Sequence, residues 1–371
     1  MKKTLLLFVT LLTVTLTNSQ LVLGETFEGS LFKYTVSTAE EAGSPNTVSI
    51  TGTVDGATIP DALVIPASVT EGGVDYAITL IASQSFKGTA ITSVVIEGDT
   101  EPGHQSFMDC TSLTSADLPL SSGSIGAQAF RNCGALTDVN IPNILLVGVQ
   151  SFRLCTSLKH IDLPSATAIG TNFNEGLSFW ASGLETINMP VMDSIATGAF
   201  NGTPLKSITF PASLTKLSEH NYNMFRNIST LTEVIVEGST PLVLTYSEEN
   251  NPDASIFNTV LSTATLKVTG EDNIPAYQAA AVWQDFASVT LGLDTLKELS
   301  FSAYPNPTTD YLNFSSKEVS SVDIYNILGA KVSSQKIINN ADMTQLNKGI
   351  YFIKAKNIDG LEFKTIKVIK Q

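Results

Sequence analysis

The chain has 371 residues, only 15% of them charged, yet its formal net charge is −14. The imbalance is regional: residues 20–300 hold 10 Lys+Arg against 29 Asp+Glu, while residues 301–371 hold 9 lysines against 6 acids. An acidic body of this kind disfavours nucleic acid and anionic lipid, both polyanions, and leaves cations, glycans and basic proteins as partners.

Residues 1–19 place two lysines ahead of an apolar run from Leu5, with Thr17 and Ser19 as small residues before a cut. That is the pattern of a secretory signal peptide. A membrane anchor is the competing reading, but the run is short and thinned by threonines. No other stretch reaches the roughly 20 apolar residues that span a bilayer, so no transmembrane span is expected. Residues 20–60 are rich in Gly, Ser and Thr and alternate at Phe32, Tyr34, Val36, Val48 and Ile50. They predict two or three short strands forming an N-terminal β cap over the end of the body.

One phrase recurs through residues 61–293: leucine, two variable residues, an aliphatic, a variable residue, an aliphatic, usually then proline. The copies read LTSADLP (113–119), LTDVNIP (136–142), LKHIDLP (158–164), LETINMP (184–190) and LKSITFP (205–211), with ITSVVIE (91–97) and LTEVIVE (231–237) outside them. Their first residues are spaced by 22, 23, 22, 26, 21 and 26. A period in the twenties predicts a leucine-rich-repeat solenoid, mainly β, with short strands and short helical or 3-10 returns. A phenylalanine recurs between the strands, at Phe86, Phe107, Phe130, Phe152, Phe200 and Phe225. In three coils it extends to F-x-x-C-x-x-L, adding Cys110, Cys133 and Cys155. The coil of Leu184 departs from this, with Phe179-Trp180 after a longer loop. Phe107, Cys110, Phe130, Cys133, Phe152, Cys155, Phe200 and Phe225 are the expected structural core, filling the wall opposite the strands. Insertions near 171–180 and 216–224 are expected to form loops on one side. Residues 273–287 predict an amphipathic helix from Pro275, with Tyr277, Ala281 and Trp283 or Phe286 packed on the solenoid end.

Three readings of the cysteines stand open. They are free buried thiols, a disulfide that leaves one cysteine odd, or a metal site. Their repeat spacing stacks them at one structural position, the side chains pointing the same way. That favours thiols acting as small hydrophobes. His104, His160 and His220 fall in different coils, so no metal site, catalytic residue or cofactor is assigned. No nucleophile elbow, phosphate loop, HExxH or CxxC occurs. The remaining candidate is the outward face of the strands, with tentative binding residues Ser115, Asp117, Asp138, Asn140, His160, Asp162, Thr186, Asn188, Ser207 and Thr209. Short polar side chains stacked at strand spacing suit sugar hydroxyls or peptide backbone. A merely solvated sheet face is the bland alternative.

Residues 294–303 read as a linker. Residues 304–371 are lysine-richer and alternate at 311–314, 321–325, 331–337, 349–356 and 362–369, which predicts a small antiparallel β-sandwich domain.

The L-x-x-[IV]-x-[LIF]-P phrase together with AFRNC (129–133) and SFRLC (151–155) resembles the BspA-like leucine-rich repeats of bacterial surface proteins. The pieces YPNPTTDYL (304–312), VDIYNILGAKV (322–332), LNKGIYFIK (346–354) and KTIKVIK (364–370) resemble the type A C-terminal sorting domain of the type IX secretion system of Bacteroidetes. The first resemblance implies adhesion to host matrix proteins and other cells, and the polar outward face makes the expected partner an extracellular protein or glycan. The second implies contact between residues 304–371 and the type IX secretion machinery, and a secreted or outer-surface location. The expected function is a non-enzymatic secreted or cell-surface binding protein. The alternatives are a structural or accessory surface protein, or an extracellular enzyme with an unrecognised site.

Overall fold

The leucine phrase becomes strand wherever its two aliphatics can point inward together. The computed structural model describes residues 21–38, 46–170, 176–218, 224–245, 255–292, 303–314, 319–327, 329–337, 340–356 and 365–371. The expected signal peptide, residues 171–175 and 219–223 of the two insertions, with His220, and residues 294–302 of the linker lie outside them. Contacts divide the chain into two units, 1–290 and 291–371.

In the first unit the strands Ala62–Ile65, Ser93–Ile96, Ser115–Asp117 and Asp138–Asn140 lie parallel and adjacent, one per coil. His160–Asp162 pairs with Thr186–Asn188, and Ser207–Phe210 continues through Glu233–Val236 to Thr265–Thr269 and Ser288–Gly292. We call this row the front ladder. It is divided into three hydrogen-bonded groups. A side ladder runs beside it, made of two-residue strands at Ser124–Ile125, Leu146–Val147, Ala168–Ile169, Ser194–Ile195 and Lys216–Leu217. Ile125, Val147, Ile169, Ile195 and Leu217 point inward from it and are buried.

The third side, the turn path, carries the phenylalanines. Within a coil it is a series of i→i−3 bonds of 3-10 type, such as Ser106 N–H to Gly103 O and Cys110 N–H to Phe107 O. It does not wind into a helix, because the residues two before and two after the phenylalanine are left-handed. Gln105 and Asp109 have φ of 55° and 64°, and Gln128 and Asn132 have 60° and 63°. Left-handed backbone in a residue with a side chain costs about 1–3 kcal/mol. Here it turns alternate N–H groups toward the next coil: Gln105, Phe107 and Asp109 donate to Ala127, Ala129 and Arg131 carbonyls. Backbone hydrogen bonds therefore join neighbouring coils on all three sides. At the corner before the turn path the backbones nearly touch, and a Cβ on Gly148 would sit 2.3 Å from Ile125 O. Only glycine fits there.

The phenylalanines form one spine. Phe86, Phe107, Phe130, Phe152, Phe179, Phe200, Phe225 and Phe257 stack in sequence, with ring centroids 5.3–6.0 Å apart and interplanar angles of 4–17°. Phe179 is the spine residue of the departing coil, so the longer loop ahead of it does not interrupt the core. The stack closes edge-on at both ends, on Phe32 at 5.8 Å and on Trp283 and Phe286 at 5.3 and 4.9 Å. Edge-to-face contact suits a ring that ends a column, because it offers positive edge to negative face.

Each end has its own cover. Phe32–Thr38, Thr47–Thr53, Ser68–Glu71 and Val74–Ile81 build one sheet at the N-terminal end, with Thr26–Glu28 on its edge. Val74–Ile81 also pairs with Glu101–Pro102, which joins this cap to the side ladder. At the other end the expected helix is shorter than its sequence suggests. It covers Ile274–Ala279 only, because Ala280 is extended and Val282 is left-handed at φ 72°. That turn leaves Ala281 exposed and buries Val282 instead. It swings Trp283 onto the spine, with its indole N–H donating to Leu242 O at 2.8 Å.

The second unit is antiparallel. Lys331–Lys336, Ser321–Asn326, Gly349–Lys356 and Ile366–Lys370 form one sheet, and Ala303–Tyr304, Tyr311–Phe314 and Ala341–Asp342 form another. Leu312, Val322, Ile324, Ala341, Met343, Ile353 and Val368 make a small core of their own. Among the described residues of either unit, no helix is long and apolar enough to cross a membrane.

Candidate functional site: the outward face of the front ladder

The strand period places every second side chain of the phrase outside. Asp138, Asn140, His160, Asp162, Thr186 and Asn188 are exposed, while Ser115, Asp117, Ser207 and Thr209 are half-buried. Register sets Ser115 beside Asp138 and Asp117 beside Asn140, then His160 beside Thr186 and Asp162 beside Asn188. Ser207 and Thr209 stand instead beside Glu233 and Ile235. The ten residues therefore fall into three groups that follow the division of the ladder.

Neighbouring side chains in the first two groups bond to one another. Asn140 Nδ2 donates to Asp117 Oδ1 at 2.7 Å, and Asn188 Nδ2 donates to Asp162 Oδ1 at 3.1 Å. The acid–amide column is thus two bonded pairs. His160 joins the second pair: its Nε2 lies 3.2 Å from Asp162 Oδ2 and its Nδ1 lies 2.7 Å from Thr186 Oγ1. Beside them Glu185 takes both Lys159 and Lys206. Hydrogen bonds from Lys206 and then Lys159 hold the Glu185 carboxyl below its usual range. Glu233 pairs with Lys267 in the third group.

The cysteines lie elsewhere. Cys110, Cys133 and Cys155 are free and buried. Each thiol donates to the carbonyl of the phenylalanine one coil back, Phe86, Phe107 and Phe130, at 3.1, 3.2 and 3.1 Å. Burial raises all three, Cys155 to about 12, so they remain protonated. Ser182 holds the same position in the coil of Phe179, and its buried hydroxyl has no partner. Among the described residues no three His, Cys, Asp or Glu side chains converge as a metal site would require. His104 meets Ser83 and stands apart from His160.

Sequence reasoning missed the side ladder and two files on the turn path. Gln84, Gln105, Gln128 and Gln150 each precede a spine phenylalanine by two residues. Gln84 Nε2 donates to Gln105 Oε1 and Gln105 Nε2 to Gln128 Oε1, at 2.6 and 2.8 Å. Arginines follow the phenylalanine directly in three coils. Both files could have been found by aligning the copies on phenylalanine instead of on leucine.

Family comparisons agree with this architecture. The BspA type leucine rich repeat region matches in six copies over residues 79–190 and 176–249, and the secretion system C-terminal sorting domain matches residues 302–371. Among solved structures the chain is similar to a leucine rich cell surface protein from Faecalibacterium prausnitzii A2-165. The two are 20% identical over 72% of each chain, with a TM-score of 0.50, a likeness of fold. Looser similarity extends to a leucine-rich repeat protein from Bacteroides ovatus ATCC 8483, 18% identical over 70% of this chain and 77% of that one, with a TM-score of 0.29. No curated protein sequence matches the chain. The repeats and the sorting tail assign it to the cell surface or the exterior, with type IX secretion handling its export. The chain thus carries BspA-type leucine-rich repeats over residues 79–249 and a type IX secretion C-terminal sorting domain over 302–371.

Proposed function

We propose that this protein is a non-catalytic binding or adhesion protein, and that the outward face of its front ladder contacts an extracellular protein or glycan. The observation that supports this reading is the bonded quartet of Thr186, His160, Asp162 and Asn188. Four polar side chains are already fixed relative to one another on a rigid sheet. Ordering side chains on binding costs about 0.5–1.5 kcal/mol each, and here much of that cost falls on folding instead. Each carboxylate accepting one amide still has lone pairs to offer. The non-catalytic reading rests on where the strongly shifted groups sit. Cys133, Cys155 and Tyr277 are buried in the core and bonded to backbone carbonyls, whereas a catalytic acid needs a cleft.

The test is an array of matrix proteins and glycans probed with the full chain and with the variant D117A/N140A/D162A/N188A. The reading expects wild-type binding that the variant loses while keeping its melting temperature. Binding that survives the four substitutions unchanged would remove the front face from the function.

A further inference from the structure

The chain contains three arginines, Arg131, Arg153 and Arg226, and each directly follows a spine phenylalanine. They therefore occupy one position of the turn path in three coils. Lys87 holds that position after Phe86, and Trp180 holds it after Phe179. Four of the 10 basic residues between 20 and 300 stand in this single file, on a body with 29 acids.

Arg131 and Arg153 are in adjacent coils, whose phenylalanine rings are 5.5 Å apart. Their hydrogen-bond partners are neutral: Arg131 Nη1 donates to Gln128 Oε1 at 3.1 Å, and Arg153 Nη1 donates to Gln150 Oε1 at 3.0 Å. Among the described residues neither has a carboxylate within ion-pair distance, although Lys33, Lys159, Lys206 and Lys267 all have one. The Arg153 guanidinium lies 3.8 Å from the centre of the Trp180 ring, and its Nε is buried without a partner. Burial, then the charge of Arg131, lower the Arg153 pKa. A guanidinium does not give up its proton, so two like charges stand in adjacent coils with no acid paired to either among the described residues.

We propose that Arg131 and Arg153 form an anion site on the turn path that takes the carboxylate of an acidic sugar at the end of a glycan. A carboxylate between the two guanidiniums removes their repulsion and accepts bidentate bonds from planar donors. Trp180 lies under Arg153, which fixes the guanidinium and occupies one face of the ring. The glutamine file offers amides along the same side for the hydroxyls of the following sugars. A peptide ligand fits less well. Interfaces between proteins centre on tryptophan, tyrosine and arginine in well-packed pockets, and among the described residues no large apolar side chain is exposed on the turn path to wall such a pocket around the arginines. A polyanion fits less well too, because the acidic body repels it at long range, whereas a single carboxylate on a neutral chain meets the arginines within a Debye length of about 8 Å. This site lies on a different side from the front face, and neither reading depends on the other.

The test is titration of the full chain with sialyllactose, with a glucuronate-terminated disaccharide, with lactose and with poly-L-glutamate. Binding to the two acidic sugars but not to lactose is expected. R131Q/R153Q should weaken it by about tenfold or more, the effect of losing hydrogen bonds to charged groups. D117A/N140A on the front face should leave it unchanged. R131K/R153K retains both charges without the planar fork, and a loss of several-fold in that variant supports the same geometry if the glutamine variant fails to fold. No binding of acidic sugars by the wild type, equal binding of lactose, unaltered binding by both arginine variants, or a preference for poly-L-glutamate would each overturn the proposal.

Discussion

The front ladder and the turn path are built from the same repeat and treat their basic residues in opposite ways. On the front, acids meet amides or lysines: Asp117 with Asn140, Asp162 with Asn188 and His160, Glu185 with Lys159 and Lys206, Glu233 with Lys267. On the turn path, Arg131 and Arg153 meet glutamine carbonyls and, for Arg153, an indole, and among the described residues no acid pairs with them. Strand geometry accounts for part of this difference. Outward side chains of a parallel ladder stand about 4.8 Å apart, close enough for short acids and amides to bond across coils. The turn path holds the spine on its inner side and points its arginines outward, where pairing depends on what the neighbouring coil provides. A repeat can thus present one face that is electrostatically settled and another that is not.

The largest expected effect separates inside from outside within one coil. Phe152→Ala removes a ring stacked on both sides and should cost about 3–5 kcal/mol in urea unfolding. Asp162→Ala, ten residues further on, should cost about 0–1 kcal/mol, since its partners are exposed. Similar losses for the two would mean that the spine does not carry the fold. Next comes the cysteine column. Cys133→Ala removes the thiol bond to Phe107 O, which keeps the Cys110 N–H as its donor, and should cost about 0.5–1.5 kcal/mol. In the wild type all three thiols should resist a disulfide reagent until the chain unfolds, and rapid native labelling would contradict their burial. The smallest effect concerns acid. Because its carboxyl is held below the unfolded value near 4.3, Glu185 contributes stability that is present above that pH and is lost as pH falls through the folded value. Glu185→Gln should slightly flatten the acid limb of a melting-temperature profile. An unaltered limb would mean that Lys159 and Lys206 do not pair with it in solution.

Much of the front ladder was legible because one constraint acts on it repeatedly. Alternation forces Ala116, Ile161 and Ile208 inward and Asp117, Asp162 and Thr209 outward, and the leucine phrase marks each strand. The side ladder was hidden because two residues, such as Ile169 with its neighbour Ala168, are too few to display a period. The spine was read without Phe179 and without its last member, Phe257. Phe179 follows the longer loop of the coil that sets Leu158 and Leu184 26 residues apart, and that insertion masked it. The terminal helix was overextended because alanines 279–281 favour helix, whereas packing of Trp283 on the spine requires the turn at Val282. Bonds within the front face, such as Asn188 to Asp162, depend on register between coils, and spacing alone does not set that. The arginines were visible as letters but not as a file, since their meaning depends on which neighbours lack a carboxylate.

The most direct test of the contrast is to run both sets of variants against both sets of ligands. D117A/N140A/D162A/N188A and R131Q/R153Q, each as the full chain, would be measured on the matrix-protein array and on sialyllactose, with melting temperatures alongside. The account predicts that the front variant loses the array and keeps sialyllactose, that the arginine variant does the reverse, and that both melt with the wild type. Loss of both ligands by either variant at an unchanged melting temperature would contradict it.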